Sequence, residues 1–275
     1  MLEALQFEFM RNALLAGLLA SVTCGVIGTL VVVNRIVFIS GGIAHAAYGG
    51  IGAAFFFGLP YMIGTTGFAL LAAVIMAAVT LKARHRSDTV IGVLWAVGMA
   101  TGVIFLDMAP GYNVDLMSYL FGSILTVPGS DIWLMFGLSI AIILITGYFY
   151  NDFLGMSYDE EFAQIRGVPV KFLYFLLLGM IAVSVVMIIR VVGLILVIAL
   201  LTIPPYIAEK YVKSLLEMML FSGVLSALFT LTGLWLSYSF NLTSGATIIM
   251  VGAAAFFFSI LFDHLKSRFS ADRNE

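Results

Sequence analysis

Charge is the scarcest feature of this 275-residue chain. It has 13 Lys and Arg and 15 Asp and Glu, so 10% of its residues are charged and 62% are hydrophobic, with a mean hydropathy of +1.12. Soluble domains carry roughly 25% charged residues, and a soluble core cannot absorb this much apolar surface. The composition therefore excludes an ordinary soluble protein and predicts an all-α, polytopic membrane protein.

The few charges border long runs that contain no Asp, Glu, Lys or Arg. One crossing needs about 20 apolar residues at about 1.5 Å each, so we divide the runs at their Gly, Pro and polar breaks. The N-terminal run follows acidic residues and lacks a small-residue cleavage site, which predicts a retained helix rather than a signal peptide. The division predicts one membrane domain over 1–275 with about nine transmembrane helices, at 13–33, 42–58, 61–81, 90–106, 132–150, 172–189, 191–208, 218–236 and 246–262.

Basic residues are unevenly distributed between the two ends of these spans. If the N-terminus lies outside and the C-terminus in the cytoplasm, only Arg11 and Arg190 of the 13 Lys and Arg lie outside. Lys and Arg accumulate on the cytoplasmic side of membrane proteins. The sequence therefore predicts this orientation.

Cysteine and buried acids are also nearly absent. The single Cys24 excludes an intramolecular disulfide and is typical of a small core residue. No predicted span contains an Asp or Glu, which a proton-coupled carrier would normally need. Neither a phosphate-binding loop nor an H-E-x-x-H motif occurs. These absences predict a transport subunit rather than an enzyme, with energy supplied from elsewhere.

His45 is the ionisable side chain that lies clearly inside a predicted span. An imidazole in a membrane usually faces a neighbouring helix or a cavity, and neutral imidazole is a common metal ligand. The spacing leaves two interpretations open, a metal ligand or a packing residue hydrogen-bonded to a carbonyl. Small residues around it form two ridges that allow close helix packing, Gly42, Ala46, Gly50 and Ala54 in one and His45, Gly49 and Ala53 in the other.

The predicted outer loop at 107–131 is acidic. It contains Asp107, Asp115 and Asp131, and no Lys or Arg lies between Asp88 and Gln164. An acidic mouth attracts cations, so Asp107 and Asp115 join His45 as candidate metal-binding residues. The alternative is a solvated loop without a specific role. Within it, residues 115–122 have helical spacing and predict a short helix at the outer face.

A second polar segment, at 151–171, is expected in the cytoplasm. Ser157 can cap a short helix, and the acids that follow favour the positive end of its dipole. Gly167 and Pro169 are expected to end this helix. An exposed amphipathic helix suits a partner protein, although an ordinary polar connector fits the same pattern.

Two adjacent prolines, Pro204 and Pro205, lie near the end of the span predicted at 191–208. A proline removes a helical hydrogen bond, so the pair predicts either a broken helix or a simple end to the span.

Four segments resemble the membrane permeases of ABC transporters that take up zinc, manganese or iron. They are 34–47, 114–122, 159–167 and 192–205. The resemblance implies a type II-like importer permease in a prokaryotic plasma membrane, with two copies enclosing a path for a divalent ion and no stably bound cofactor. The implied partners are a cytoplasmic ABC ATPase, an extracytoplasmic metal-binding protein, a second copy and the lipid bilayer, without nucleic acid.

The resemblance also implies specific roles for residues. His45 corresponds to the family's path-lining histidine, but many relatives have an Asp four residues earlier, where this chain has Gly41. Ser123 likewise follows Gly122 where an Asp is frequent, so we expect a path with few ligands and weak binding. The alternative is a stand-alone metal channel or facilitator without an ATPase. The segment 157–169 corresponds to the coupling helix that docks on the ATPase, with Ser157, Asp159, Glu160, Glu161, Gln164, Arg166 and Gly167 as coupling residues.

Overall fold

The structure is a computed structural model that describes residues 6–82, 87–109, 122 and 124–271. Within these ranges the chain forms helices joined by short turns, with no strand. A 3-10 turn at Ile124–Thr126 precedes the fifth α-helix. The α-helices are α1 Glu8–Val33, α2 Val37–Phe57, α3 Tyr61–Lys82, α4 Ser87–Met108, α5 Gly129–Tyr148, α6 Tyr150–Tyr158, α7 Glu160–Ile165, α8 Val170–Val192, α9 Leu194–Glu209, α10 Leu215–Phe240 and α11 Ser244–Ala271.

Eight of the described helices are long and apolar enough to cross a membrane, namely α1 to α5, α8, α10 and α11. The all-helical membrane class is thereby confirmed. The span predicted at 191–208 corresponds to α9, which has only 16 residues. At about 1.5 Å per residue, α9 covers about 24 Å of a hydrocarbon core that is about 30 Å thick.

The two prolines neither break α9 nor end it, because the helix continues through Pro204 and Pro205 to Glu209. The chain instead turns at Gly193, whose φ of 80° lets α9 follow α8 directly. Pro205 cannot donate to the carbonyl of Leu201. Gly28 of α1 lies against that carbonyl, since a Cβ added at Gly28 would be 2.6 Å from its oxygen. A small residue on α1 thus lets two backbones meet at the proline-containing stretch.

Helix α1 lies at the centre of the bundle and uses hydroxyl pairs to bind its neighbours. Thr23 Oγ1 lies 3.1 Å from Ser139 Oγ on α5. On α10, Ser222 Oγ accepts a hydrogen bond from Thr29 at 3.4 Å. Small polar contacts of this kind hold helices together in lipid, where burial of apolar surface gives no driving force between them.

The turns of the bundle fall into two groups on opposite faces. On one face the end of α1 meets α6, and Tyr150 of α6 accepts a hydrogen bond from the start of α10, Leu216 N, at 3.1 Å. Lys210, just after α9, binds Asp263 of α11 on this same face at 2.7 Å. We call this face, which carries the end of α1 and α6, the coupling face. On the other face, Asn12 Nδ2 of α1 donates to the carbonyl of Val127, before α5, at 3.4 Å.

This grouping matches the predicted alternation of the spans. It places the ends of α1, α3, α9 and α11 on the coupling face together with the starts of α2, α4, α8 and α10. The orientation of this face toward the cytoplasm remains a prediction from the basic residues.

Candidate ion path and coupling segment

His45 lies near the middle of α2, half-buried against α4. Its ring stacks on Trp95 with centroids 3.8 Å apart and an angle of 14° between the planes. His45 Nδ1 is 3.2 Å from Met99 Sδ. Trp95 and Met99 are four residues apart, so they lie on the same face of α4. The partners of His45 in this structure are therefore an indole and a thioether rather than a backbone carbonyl.

Glycines bring α2 and α4 into backbone contact around this histidine. A Cβ at Gly52 would collide with the backbone of Gly102, and one at Gly98 would collide with Ala46. On the other side of α2, a Cβ at Gly50 would be 2.6 Å from the carbonyl oxygen of Gly64 on α3. The close approach that the small-residue ridges predict is thereby present on two faces of α2.

Gly41, where many relatives have an Asp, faces a filled space. A Cβ at Gly41 would lie 3.1 Å from Ile198 Cδ1 and 3.6 Å from Trp95 Cζ3. Among the residues that the structure describes, no group of three or more His, Cys, Asp and Glu side chains could hold an ion. The donors brought together here are one nitrogen from His45 and one sulfur from Met99.

The acidic residues predicted at the outer mouth do not join His45. Asp107 is not in a loop but in the last turn of α4, since that helix continues to Met108. It is exposed and lies two turns beyond Met99, about 12 Å along the helix. Asp131 occupies the first turn of α5. Asp115, Ser123 and most of the predicted helix at 115–122 lie outside the described residues, so Asp115 stays a prediction.

The polar segment that follows α5 forms two short helices, α6 and α7, which together we call the coupling segment. The prediction that Ser157 begins a helix is wrong, because Ser157 lies in the last turn of α6 and accepts a hydrogen bond from Asn34. Asp159 is the actual cap, since its Oδ1 accepts from Phe162 N at 2.9 Å. An Asp caps a helix as well as a Ser does, and the sequence offers both within three residues.

The remaining predicted coupling residues lie on or beside α7. Glu160 and Glu161 occupy its first turn, and Gln164 Nε2 donates to Glu160 Oε1 at 3.3 Å. Arg166 follows α7, and the chain turns at Gly167, which has a φ of 84°. The predicted stop at this glycine is confirmed, because the left-handed conformation favours Gly.

The apolar residues of the predicted amphipathic helix were not identified from the sequence. Tyr158, Phe162 and Ile165 are 74%, 56% and 84% exposed, whereas Ala163 is buried. Phe162 and Ile165 are three residues apart on α7 and lie on one helical face, whereas Tyr158 ends α6, just before the extended residue Asp159. The Arg166 guanidinium lies 5.8 Å from the centre of the Phe162 ring, so a cation borders this face. The three-residue spacing of Phe162 and Ile165 is visible in the sequence, but it defines a helical face only once the helix is known to begin at Glu160.

Comparison with known proteins identifies the family. The model of the ABC 3 transport family matches residues 6–263. The uncharacterized membrane protein slr2045 of Synechocystis is 51% identical over 262 residues, covering 95% of this chain and 93% of that protein. The manganese transport system membrane protein MntC of Listeria monocytogenes is 32% identical, covering 94% and 92%.

A solved structure gives the same result for the fold. PsaBC from Streptococcus pneumoniae, determined in complex with Fab, superposes with a TM-score of 0.85 at 32% identity and covers 94% of this chain and 93% of that one. The described helices and the matched sequence agree over nearly the whole length. The chain therefore belongs to the ABC 3 transport family, as a multi-pass permease of the bacterial plasma membrane and a member of the metal ABC transporter permeases.

Proposed function

We propose that this chain is the permease subunit of an ATP-driven importer for a divalent transition metal ion, and that two copies form the translocation path. The observation that carries the proposal is the exposure of apolar residues on the coupling segment, Phe162 and Ile165 on one face of α7 and Tyr158 at the end of α6. An exposed apolar helix face outside the membrane needs a protein partner. The chain has no phosphate-binding loop of its own and belongs to the ABC 3 transport family, so we assign these residues to an ATPase subunit that would supply the energy.

The second copy would meet this one along α4. The side of α4 away from α2 is apolar and open, with Val93, Val97 and Ile104 each more than half exposed. The same helix carries Trp95 and Met99. A dimer along α4 would place two His45 side chains beside one central path.

His45 would contact the ion as it passes, with Met99 as a second, weaker donor. Imidazole nitrogen and thioether sulfur suit borderline and soft ions such as zinc or ferrous iron better than manganese. The relatives in Listeria are named for manganese transport, so Mn²⁺ belongs in the same comparison. Uptake of one labelled ion in competition with the other two decides among zinc, manganese and iron. Selection by the extracytoplasmic metal-binding protein is consistent with a path that holds the ion weakly.

The transport cycle follows from these parts. ATP binding by the partner would draw the two coupling segments together, rock the spans and open the path alternately to each side. Asp107, exposed at the end of α4, would raise the local cation concentration at the outer mouth, with Asp115 as a second acid there.

Replacing residues 159–166 by Gly and Ser tests the proposal against a stand-alone facilitator. The variant should insert into the membrane but no longer co-purify with the ATPase, and it should lose metal uptake. A facilitator would keep its uptake, because it needs no ATPase. A size-exclusion elution profile in detergent like that of the wild-type protein would show that the variant's helical bundle still folds.

A further inference from the structure

One side-chain hydrogen bond joins the coupling segment to the turn between α1 and α2. Asn34, the first residue after α1, donates from Nδ2 to Ser157 Oγ at 2.9 Å and to the carbonyl oxygen of Leu30 at 2.8 Å. The amide is therefore fixed to the last turn of α1 while it holds α6. Ser157 lies two residues before Asp159, the cap of α7.

The turn that carries Asn34 is tightly built. Arg35 has a φ of 58°, and Ile36 N donates to the carbonyl oxygen of Val31 at 3.0 Å. Helix α2 begins at Val37, so Asn34 is only three residues from its start. His45 lies a further eight residues along α2, about 12 Å at the usual helical rise. Asn34 is thus close along the chain to the helix that carries His45.

Open space flanks this hydrogen bond. One cavity of about 270 Å³ lies between the turn, the start of α4 and the coupling segment, and another of about 410 Å³ lies toward the α9–α10 turn. Arg35 lines both cavities. Grooves open to the surface therefore border the coupling segment on both sides of Ser157, while Phe153 and Met156 anchor α6 in the core.

We propose that the hydrogen bond between Asn34 and Ser157 is the link through which the coupling segment moves α2. This inference rests on the proposed function. Because α2 and α4 touch backbone to backbone at Gly52 and Gly102, both helices would move as one body and carry His45, Trp95 and Met99 together. Asn34 and Ser157 are positioning residues, which act on the ion path through α2 without touching the ion.

Metal uptake per ATP hydrolysed is the appropriate measurement, made in liposomes that contain the permease with its ATPase. Asn34→Leu and Ser157→Ala each remove the hydrogen bond but leave Phe162 and Ile165 in place. We expect uptake per ATP to fall about fivefold in both variants, the effect of losing one such bond, while ATPase association and hydrolysis persist in Asn34→Leu, which lies outside the coupling segment. The double variant should be no worse than either single variant, because both remove the same interaction. Ser157→Thr keeps the hydroxyl and should restore coupling.

Tyr150→Phe is the matched control. It removes a second side-chain hydrogen bond between the coupling segment and a spanning helix, one that leads to α10 rather than α2. Uptake per ATP should stay at the wild-type value. The proposed link would be overturned if uptake per ATP fell equally in Tyr150→Phe, or if it stayed unchanged in Ser157→Ala. In either case, ATP-driven uptake by the wild-type protein would still support the proposed function. A wild-type protein without ATP-driven uptake would instead overturn the proposed function.

Discussion

At the scale of single residues, the contacts of His45 are well suited to a transient ion ligand. Its Nδ1 contacts the thioether sulfur of Met99, which is a weak hydrogen-bond acceptor. An arriving ion would therefore have only a weak interaction to replace. The stacked Trp95 ring fixes the orientation of the imidazole. A ligand that is oriented but weakly engaged can bind an ion and release it again.

Replacing His45 by Ala should lower ATP-driven metal uptake without reducing expression. If the nitrogen contributes about 1.4 kcal/mol to ion binding, its loss weakens binding about tenfold. Met99→Leu keeps the volume but removes the sulfur, and we expect a smaller loss. Uptake of a radioactive or fluorescent-reported metal ion measures both. Gly137→Ala, on α5, where an added Cβ would meet nothing within 4 Å, serves as the control. Full uptake by the His45 variant would rule out this ligand.

Gly50 is a residue at which packing alone predicts a large effect. Its Cβ would lie 2.6 Å from a backbone oxygen of α3, which cannot move aside, so Gly50→Ala should destabilise the fold by about 1–3 kcal/mol. Gly67→Ala, on α3, meets nothing within 4 Å and should be neutral or stabilising. Thermal unfolding in detergent compares the two. Equal stability of both variants would contradict the described α2–α3 contact.

At the scale of helices, the coupling segment shows what the sequence could and could not predict. Its position, its exposure and its stop at Gly167 follow from local turn and cap chemistry. The choice of Asp159 over Ser157 as the cap does not, because both residue types cap equally well and the choice depends on Asn34, more than 100 residues away. The same limit applies to Trp95 and Met99, whose proximity to His45 arises from packing between helices.

The apolar face of α7 should carry the ATPase interaction. Phe162→Asp together with Ile165→Asp places two charges in an interface that excludes water, so co-purification of the ATPase should be lost. Tyr238→Ala, at an exposed aromatic residue on the opposite face of the bundle, should retain the complex. Retention of the ATPase by the double Asp variant would show that docking occurs elsewhere.

At the scale of the whole molecule, the arrangement of the helices was largely predictable, because a bilayer requires apolar helices of nearly fixed length. Charge-free runs therefore located eight long helices. For the predicted span at 191–208, which corresponds to α9, only the position was predictable. Its late start follows from the turn at Gly193. Its close contact with Gly28 at Leu201 and Pro205 is a tertiary feature that the sequence does not show.

The predicted orientation can be tested with engineered cysteines, since the natural Cys24 is fully buried. In intact cells, a membrane-impermeant maleimide should label Ser130→Cys, at the start of α5, from outside. Gln164→Cys, in α7, should react only after the membrane is permeabilised. The reverse pattern would place the coupling segment outside the cell and contradict the predicted topology.

Dependence of transport on the ATPase tests the central claim most directly. The measurement is metal uptake into liposomes that contain the purified chain with or without its ATPase, with ATP supplied on the side of the coupling face. The account predicts accumulation against a gradient only when both the ATPase and hydrolysable ATP are present. Equal uptake without the ATPase, running only down the gradient, would contradict it and identify a facilitator.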